Sequence, residues 1–136
     1  MSYAVSLALQ KAVFDGLTAD ATLTALVGAN VFDQAPGGTV PDLFVVLGDD
    51  KARDRSDQSG HGSAHDMTIS VVTTRPGFAD AKAAGVAICD ALLGPVLVLE
   101  RGRMLNASFL TARARREAQG ARRIVDLIFR FRVSDE

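Results

Sequence analysis

The stretch from Arg103 to Val133, RMLNASFLTARARREAQGARRIVDLIFRFRV, constrains what this chain can fold into more than any other. In its second half Val125, Leu127, Phe129, Phe131 and Val133 alternate with Asp126, Ile128, Arg130 and Arg132, which is the two-residue period of a strand with one apolar and one mainly charged face. In its first half Leu105, Ala107 and Phe109 alternate with Asn106 and Ser108. The link, Glu117 to Ala121, carries Gly120 in a polar run suited to a turn. The two halves predict a long C-terminal antiparallel hairpin, whose tip would gather Arg113, Arg115, Arg116, Arg122 and Arg123. Folding alone gives no reason for that concentration of guanidinium groups, so an interaction role is expected of them.

Upstream, Val5, Ala8, Leu9, Ala12, Val13 and Leu17 recur at three- and four-residue steps, with Ser2 available as a cap. They predict an amphipathic helix ending near Gly16. Asp20 before Ala21–Val27, with Gly28 after it, predicts a short second helix. A brief strand is expected at 30–33, and the apolar run Leu43-Phe44-Val45-Val46-Leu47 predicts a strand covered on both faces. Met67 to Thr73 alternates into another strand. Phe78, Ala81, Gly85, Ile88, Cys89 and Leu92 mark one stripe of a helix that stops at Gly94-Pro95. Val96 to Glu100 predicts a further short strand. The fold class is therefore α+β, with N-terminal helices and one central helix on a single mixed or mainly antiparallel sheet.

Gly48 to His65, GDDKARDRSDQSGHGSAH, contains no large apolar side chain. A polar connection of this length in a compact domain is usually functional or disordered, so it predicts a mobile loop ordered by a partner on assembly, the alternative being a merely tolerated insertion. Its charges, Asp49, Asp50, Arg53, Asp54, Arg55 and Asp57, join the five hairpin arginines as candidate assembly contacts. His61, His65 and Asp66 lie near Ser56, Ser59 and Ser63. A triad needs rigidly packed members, which a flexible stretch does not supply. Gly62 between the two histidines disfavours a helical chelate, and no third ligand is evident. Gly60-His61-Gly62 precedes a strand and lacks a third glycine, so it is no dinucleotide fingerprint. Catalytic, metal and cofactor sites are accordingly not expected, and Cys89 reads as a buried, inert thiol.

With 136 residues the chain is long enough to bury a core as one domain, residues 1–136. No segment approaches the roughly 20 apolar residues of a membrane span. MSYAVSLALQKAV lacks the basic and apolar regions of a signal peptide, so residence in the cytosol is expected. The near-neutral total hides an asymmetry. Residues 1–100 hold six Lys and Arg against twelve Asp and Glu, whereas residues 101–136 hold nine Arg against four acids. Opposite charge on two parts of one surface suits head-to-tail association, while pairing within the fold is the alternative. Phe129 and Phe131 belong to the apolar face rather than to a stacking platform, which disfavours a sequence-specific nucleic-acid reader. Non-specific contact with passing DNA stays open.

The opening MSYAVSLALQKAVFDGL, the segment ALVGANVFDQAPGGTVPDLFVVLGDD, the pair RDRSDQSG and HDMTISVVT, the helix start GFADAKAAG and the ending RRIVDLIFRFRV resemble, in that order, a family found in tailed phages and the gene transfer agents of alphaproteobacteria. That family was long catalogued as a domain of unknown function. The resemblance spans nearly the whole chain and implies a tail terminator, also called a tail-completion or head-tail joining protein. Such a protein forms a ring, commonly of six copies, that caps the tail tube and joins it to the head connector or stopper. It implies a fold similar to the lambda-type tail terminator and a location in the virion or gene transfer agent particle, where the non-specific DNA contact left open by the arginines would fall in the lumen. It carries over no catalytic residue. The alternatives are another neck ring, such as a stopper, and a small cytosolic nucleic-acid-binding module.

Overall fold

The computed structural model describes residues 3–58 and 60–136. Asp20 divides the first helical stretch. It leaves helix α1 (Ser6–Ala19) in an extended conformation and its side chain accepts a hydrogen bond from the Leu23 amide, which opens α2 (Ala21–Val27). Helix α1 thus runs one turn beyond Gly16, and Ser2 lies outside the described residues. Gly28 closes α2 with a φ of 61°, a left-handed conformation that glycine adopts without steric cost. The third helix, α3 (Ala79–Leu93), buries Ala81, Gly85, Ile88 and Leu92 of the predicted stripe together with Ala84, Ala87 and Ala91, while Phe78 and Cys89 are only partly buried. Among the described residues no helix is long and apolar enough to cross a membrane.

Five strands form one mixed sheet in the order β1-β2-β3-β5-β4. They are β1 (Val31–Phe32), β2 (Leu43–Asp54), β3 (Gly62–Thr73), β4 (Arg103–Glu117) and β5 (Arg122–Ser134). Only β1 and β2 run parallel; the other neighbours are antiparallel. The C-terminal hairpin is β4–β5, and its turn places Ala118, Gln119 and Gly120 at positive φ. The helices pack on one face. There Leu9, Leu17, Val45, Ile69, Ile88, Phe129 and Phe131 are buried in the main core. On the other face a small cluster of Phe44, Val72 and Ile124, flanked by Phe32 and Val46, covers one end only. The apolar run of β2 is therefore buried on both faces as expected, although by a handful of side chains on the open side.

Two expectations are corrected. The polar stretch from Gly48 to His65 is not a long loop: β2 continues to Asp54 and β3 begins at Gly62, leaving a short tip. The arm holds because β5 flanks β3 along its whole length, from Gly62 opposite Ser134 to Thr73 opposite Arg123. Its side chains need no second core, since one of its faces is open to water. A bulge at Gly48 and Asp49 shifts the register between Leu47 and Asp50. The second correction concerns Val96–Glu100, which forms no strand. Leu97 and Leu99 are buried while Val96 and Val98 are 79% and 87% exposed, so the alternation is real. It arises from packing on α1, where Leu97 lies against Gly16 and Glu100 pairs with Lys11 at 2.9 Å.

Gly102 lets the chain enter β4. Its φ is +82°, and a Cβ there would meet the Ser134 carbonyl at 2.6 Å and Val5 Cγ1 at 2.9 Å. Backbone cannot yield as a flexible side chain can. Gly102→Ala should therefore lower the unfolding free energy by about 2 kcal/mol or more, read by urea denaturation, whereas Ala at the open position Gly37 should change it by less than about 0.5 kcal/mol.

Candidate functional site

Residues directly opposite in an antiparallel ladder share a face, so the register dictates what the open side of the sheet displays. Asp66 of β3 stands between Arg130 of β5 and Arg53 of β2. Arg130 Nε and Nη2 donate to its two carboxylate oxygens at 2.8 and 3.0 Å, and Arg53 Nη1 donates at 3.3 Å. The hydrogen-bonded guanidinium of Arg130, then that of Arg53, holds the Asp66 carboxyl below the usual carboxylate range against the opposing effect of burial. Toward the hairpin tip, Asp126 accepts Ser70 Oγ at 2.6 Å and Arg115 Nε at 2.8 Å. Arg115 also reaches Glu117 at 3.0 Å, and Arg122 closes on the same carboxylate. Lys51, Arg113 and Arg132 share this face and form no ion pair among the described residues.

The five hairpin arginines therefore do not form one cluster. Arg113, Arg115 and Arg122 lie on the open face with Glu117 and Asp126. Arg116 and Arg123, opposite each other in register, turn to the helix side, where their guanidinium carbons stand 5.3 and 5.8 Å from the Phe78 ring centre. Lys82 Nζ approaches the same ring at 5.7 Å. Such cation–π contacts fix Phe78 at the start of α3. Sequence reasoning missed this pairing of Phe78 with the strand, although one odd- and one even-numbered arginine already implied two faces.

The charges of the β2 arm also divide. Arg53 faces the open side, Asp49 sits in the bulge, and Asp50 turns to the helix side. Asp54 accepts the Ser56 hydroxyl at 2.7 Å, and that hydroxyl also receives the Gly62 amide at 3.3 Å. Asp57 bridges Gly60 across the tip, and the Arg55 amide bonds the Gly62 carbonyl. These local bonds tie the two sides of the tip together.

On the helix side of the arm a polar row runs inward. Ser63 Oγ and His65 Nε2 are 2.8 Å apart, His65 Nδ1 is 3.9 Å from Asp50 Oδ1, and Ser6 Oγ donates to Asp50 Oδ2 at 3.4 Å. This is the order of a catalytic triad, and the flexibility argument against one does not hold here. Burial supplies a better one: Ser63 and His65 are 3% and 1% exposed, so no substrate reaches the hydroxyl. Desolvation pushes the His65 pKa down against the pull of Asp50 and Asp66, which keeps the ring neutral. His61 lies apart from this row at the tip, and Ser59 lies outside the described residues. Cys89 is half-buried, and desolvation followed by Asp90 pushes its thiol up, away from thiolate reactivity. Among the described residues no three His, Cys, Asp or Glu side chains gather to hold a metal ion.

Residues 11–134 match the family described as tail completion protein gp17. A chain in the solved structure titled "Virion of native gene transfer agent (GTA) particle" is similar throughout: 50% identity, a TM-score of 0.92, and coverage of 98% of this chain and 99% of that one. No curated protein matches.

The open-face network generates two expectations. Asp66→Asn keeps the shape but not the charge, and should cost about 1 to 2 kcal/mol at pH 7. Because the folded carboxyl titrates below its unfolded value of about 3.9, that stabilisation is complete above about pH 4 and is lost as pH falls through the folded value. Urea titrations should show the two proteins converging on acidification. Arg115→Ala, which leaves Asp126 with only Ser70 and Glu117 with only Arg122, should cost about 1 kcal/mol, against less than about 0.5 kcal/mol for Arg113→Ala.

Proposed function

Because this chain belongs to the tail completion protein gp17 family, we propose that it is a structural subunit completing the tail of a phage-like or gene transfer agent particle. In this reading copies of the chain form a ring, of six, that caps the tail tube and joins it to the head connector or stopper. One observation carries it: the match to the chain of a gene transfer agent virion extends at 50% identity over 98% of the length, so the whole fold, not a grafted motif, is shared.

The geometry supports the same role. Helices cover one face of the sheet, and the other is laced with ion pairs in which cations outnumber carboxylates. A surface of that kind suits water and a passing polyanion better than a dry protein contact. We assign it to the channel, where Lys51, Arg113 and Arg132 would meet DNA transiently and without sequence preference. Arg115 and Arg122, held by Glu117 and Asp126, serve chiefly to stiffen that wall.

Electron microscopy of particles labelled on this chain should show a band at the head–tail junction. Particles lacking it should carry tails of irregular length. A label at the distal tip, or tails of normal length without the chain, would overturn the reading. Replacing Lys51, Arg113 and Arg132 together by Ala should leave ring and tail length unchanged while weakening DNA retention or delivery. If tail length changed and DNA handling did not, these cations would belong to a protein contact instead.

A further inference from the structure

Resting on the ring reading, we infer that neighbouring copies join head to tail through two apolar grooves at opposite edges of the sheet. The first groove lies beside β1, is about 450 Å³, and is lined by Leu7, Phe14, Val31 and Phe32. The second lies between α3 and β4, is about 500 Å³, and is lined by Gly85, Val86, Phe109, Ala114 and Leu127. Since β1 and β4 are the outermost strands, the two grooves lie at opposite edges of the sheet. Each has a large apolar side chain standing out at its rim: Leu7 is 69% exposed at the first, and Val86 is 62% exposed at the second. Single exposed apolar residues are ordinary, but paired grooves of similar size at the two ends of one sheet are what a heterologous interface requires.

Charge selects the pairing. At the β1 edge Lys11 is neutralised by Glu100, while Asp15 and Asp33 have no ion-pair partner among the described residues. At the β4 edge Lys82 and Arg116 outnumber Asp90. Joining like edges would set basic against basic and acidic against acidic. Joining unlike edges matches charge and apolar rim together, and leaves each copy with one free groove for the next.

Side chains rather than a continuous backbone ladder make the contact. Strand β1 has only two residues, and β4 is bulged between Met104 and Asn106 and between Phe109 and Thr111. Bulges of this sort blunt an edge against strand addition.

The test uses assembled tails carrying Leu7→Cys and Val86→Cys in a Cys89→Ser background, treated with a short bismaleimide. Both new cysteines replace exposed residues, so the fold should be retained, which a melting curve checks. A covalent ladder rising to the copy number of the ring is expected, and should vanish when either cysteine is omitted. Dimers from a chain with one cysteine would mean that like edges meet, overturning the inference. A ring visible at the tail end that cross-links with neither cysteine would overturn the interface and leave the ring standing. Absence of any ring would instead overturn the functional reading beneath it. As a second measure, Val86→Arg should leave the melting temperature unchanged and reduce completed tails by about tenfold or more. Normal tail completion in that variant would also count against the interface.

Discussion

Everything in this structure hangs on the antiparallel pairing of β3 with β5. Twelve opposed positions, from Gly62 with Ser134 to Thr73 with Arg123, bring together segments about sixty residues apart in sequence. The same pairing sets Met67, Ile69 and Val71 beside Phe129, Leu127 and Val125 on the helix side. Without β5, the polar arm of β2 and β3 would be an isolated hairpin, which is marginal in water. With it, residues that bury almost nothing on the open face are still held by backbone bonds on both sides of β3. Closing so long a loop costs entropy before its contacts form, so the arm should be among the later parts to become ordered.

The one-sided cover of the sheet then distributes the chemistry. On the helix side burial dominates the core: Phe129 and Phe131 stack at 6.2 Å, and His65 is kept uncharged. On the open side each partly exposed ion pair contributes little by itself. Linked through shared carboxylates, Asp66 between Arg53 and Arg130 and Glu117 between Arg115 and Arg122, the pairs hold long side chains in fixed geometry. Their value lies more in order than in energy.

Much of this was legible in the sequence, for identifiable reasons. The β4–β5 hairpin, the helices and the Met67 strand announce themselves because their apolar residues follow a single period. The family resemblance pointed to the tail completion family that the matches establish. The β2–β3 arm was not legible, because Lys51, Arg53, Asp66 and Arg130 become a pattern only once three strands are in register. His65 was the missed cue: it continues the face of Met67, Ile69 and Val71 at the same two-residue step. Val96–Glu100 misled in the opposite direction, since alternation records which side is buried and not whether a neighbouring strand exists. Leu105 falls at a bulge and is 47% exposed, a local irregularity that a regular period cannot foretell.

An open-edged sheet can grow without limit or close on itself, and edge chemistry decides between the two. Two clean edges would invite backbone pairing that adds copies indefinitely. Here the bulges of β4, the two-residue length of β1 and the arginines along the hairpin all oppose that outcome. What is left at the edges is apolar rim and opposite charge, both carried by side chains, whose geometry fixes the angle between one copy and the next. A fixed angle is what closure needs. The features that make these edges poor partners for an arbitrary strand are thus the same ones that would let a bounded number of copies meet in a ring.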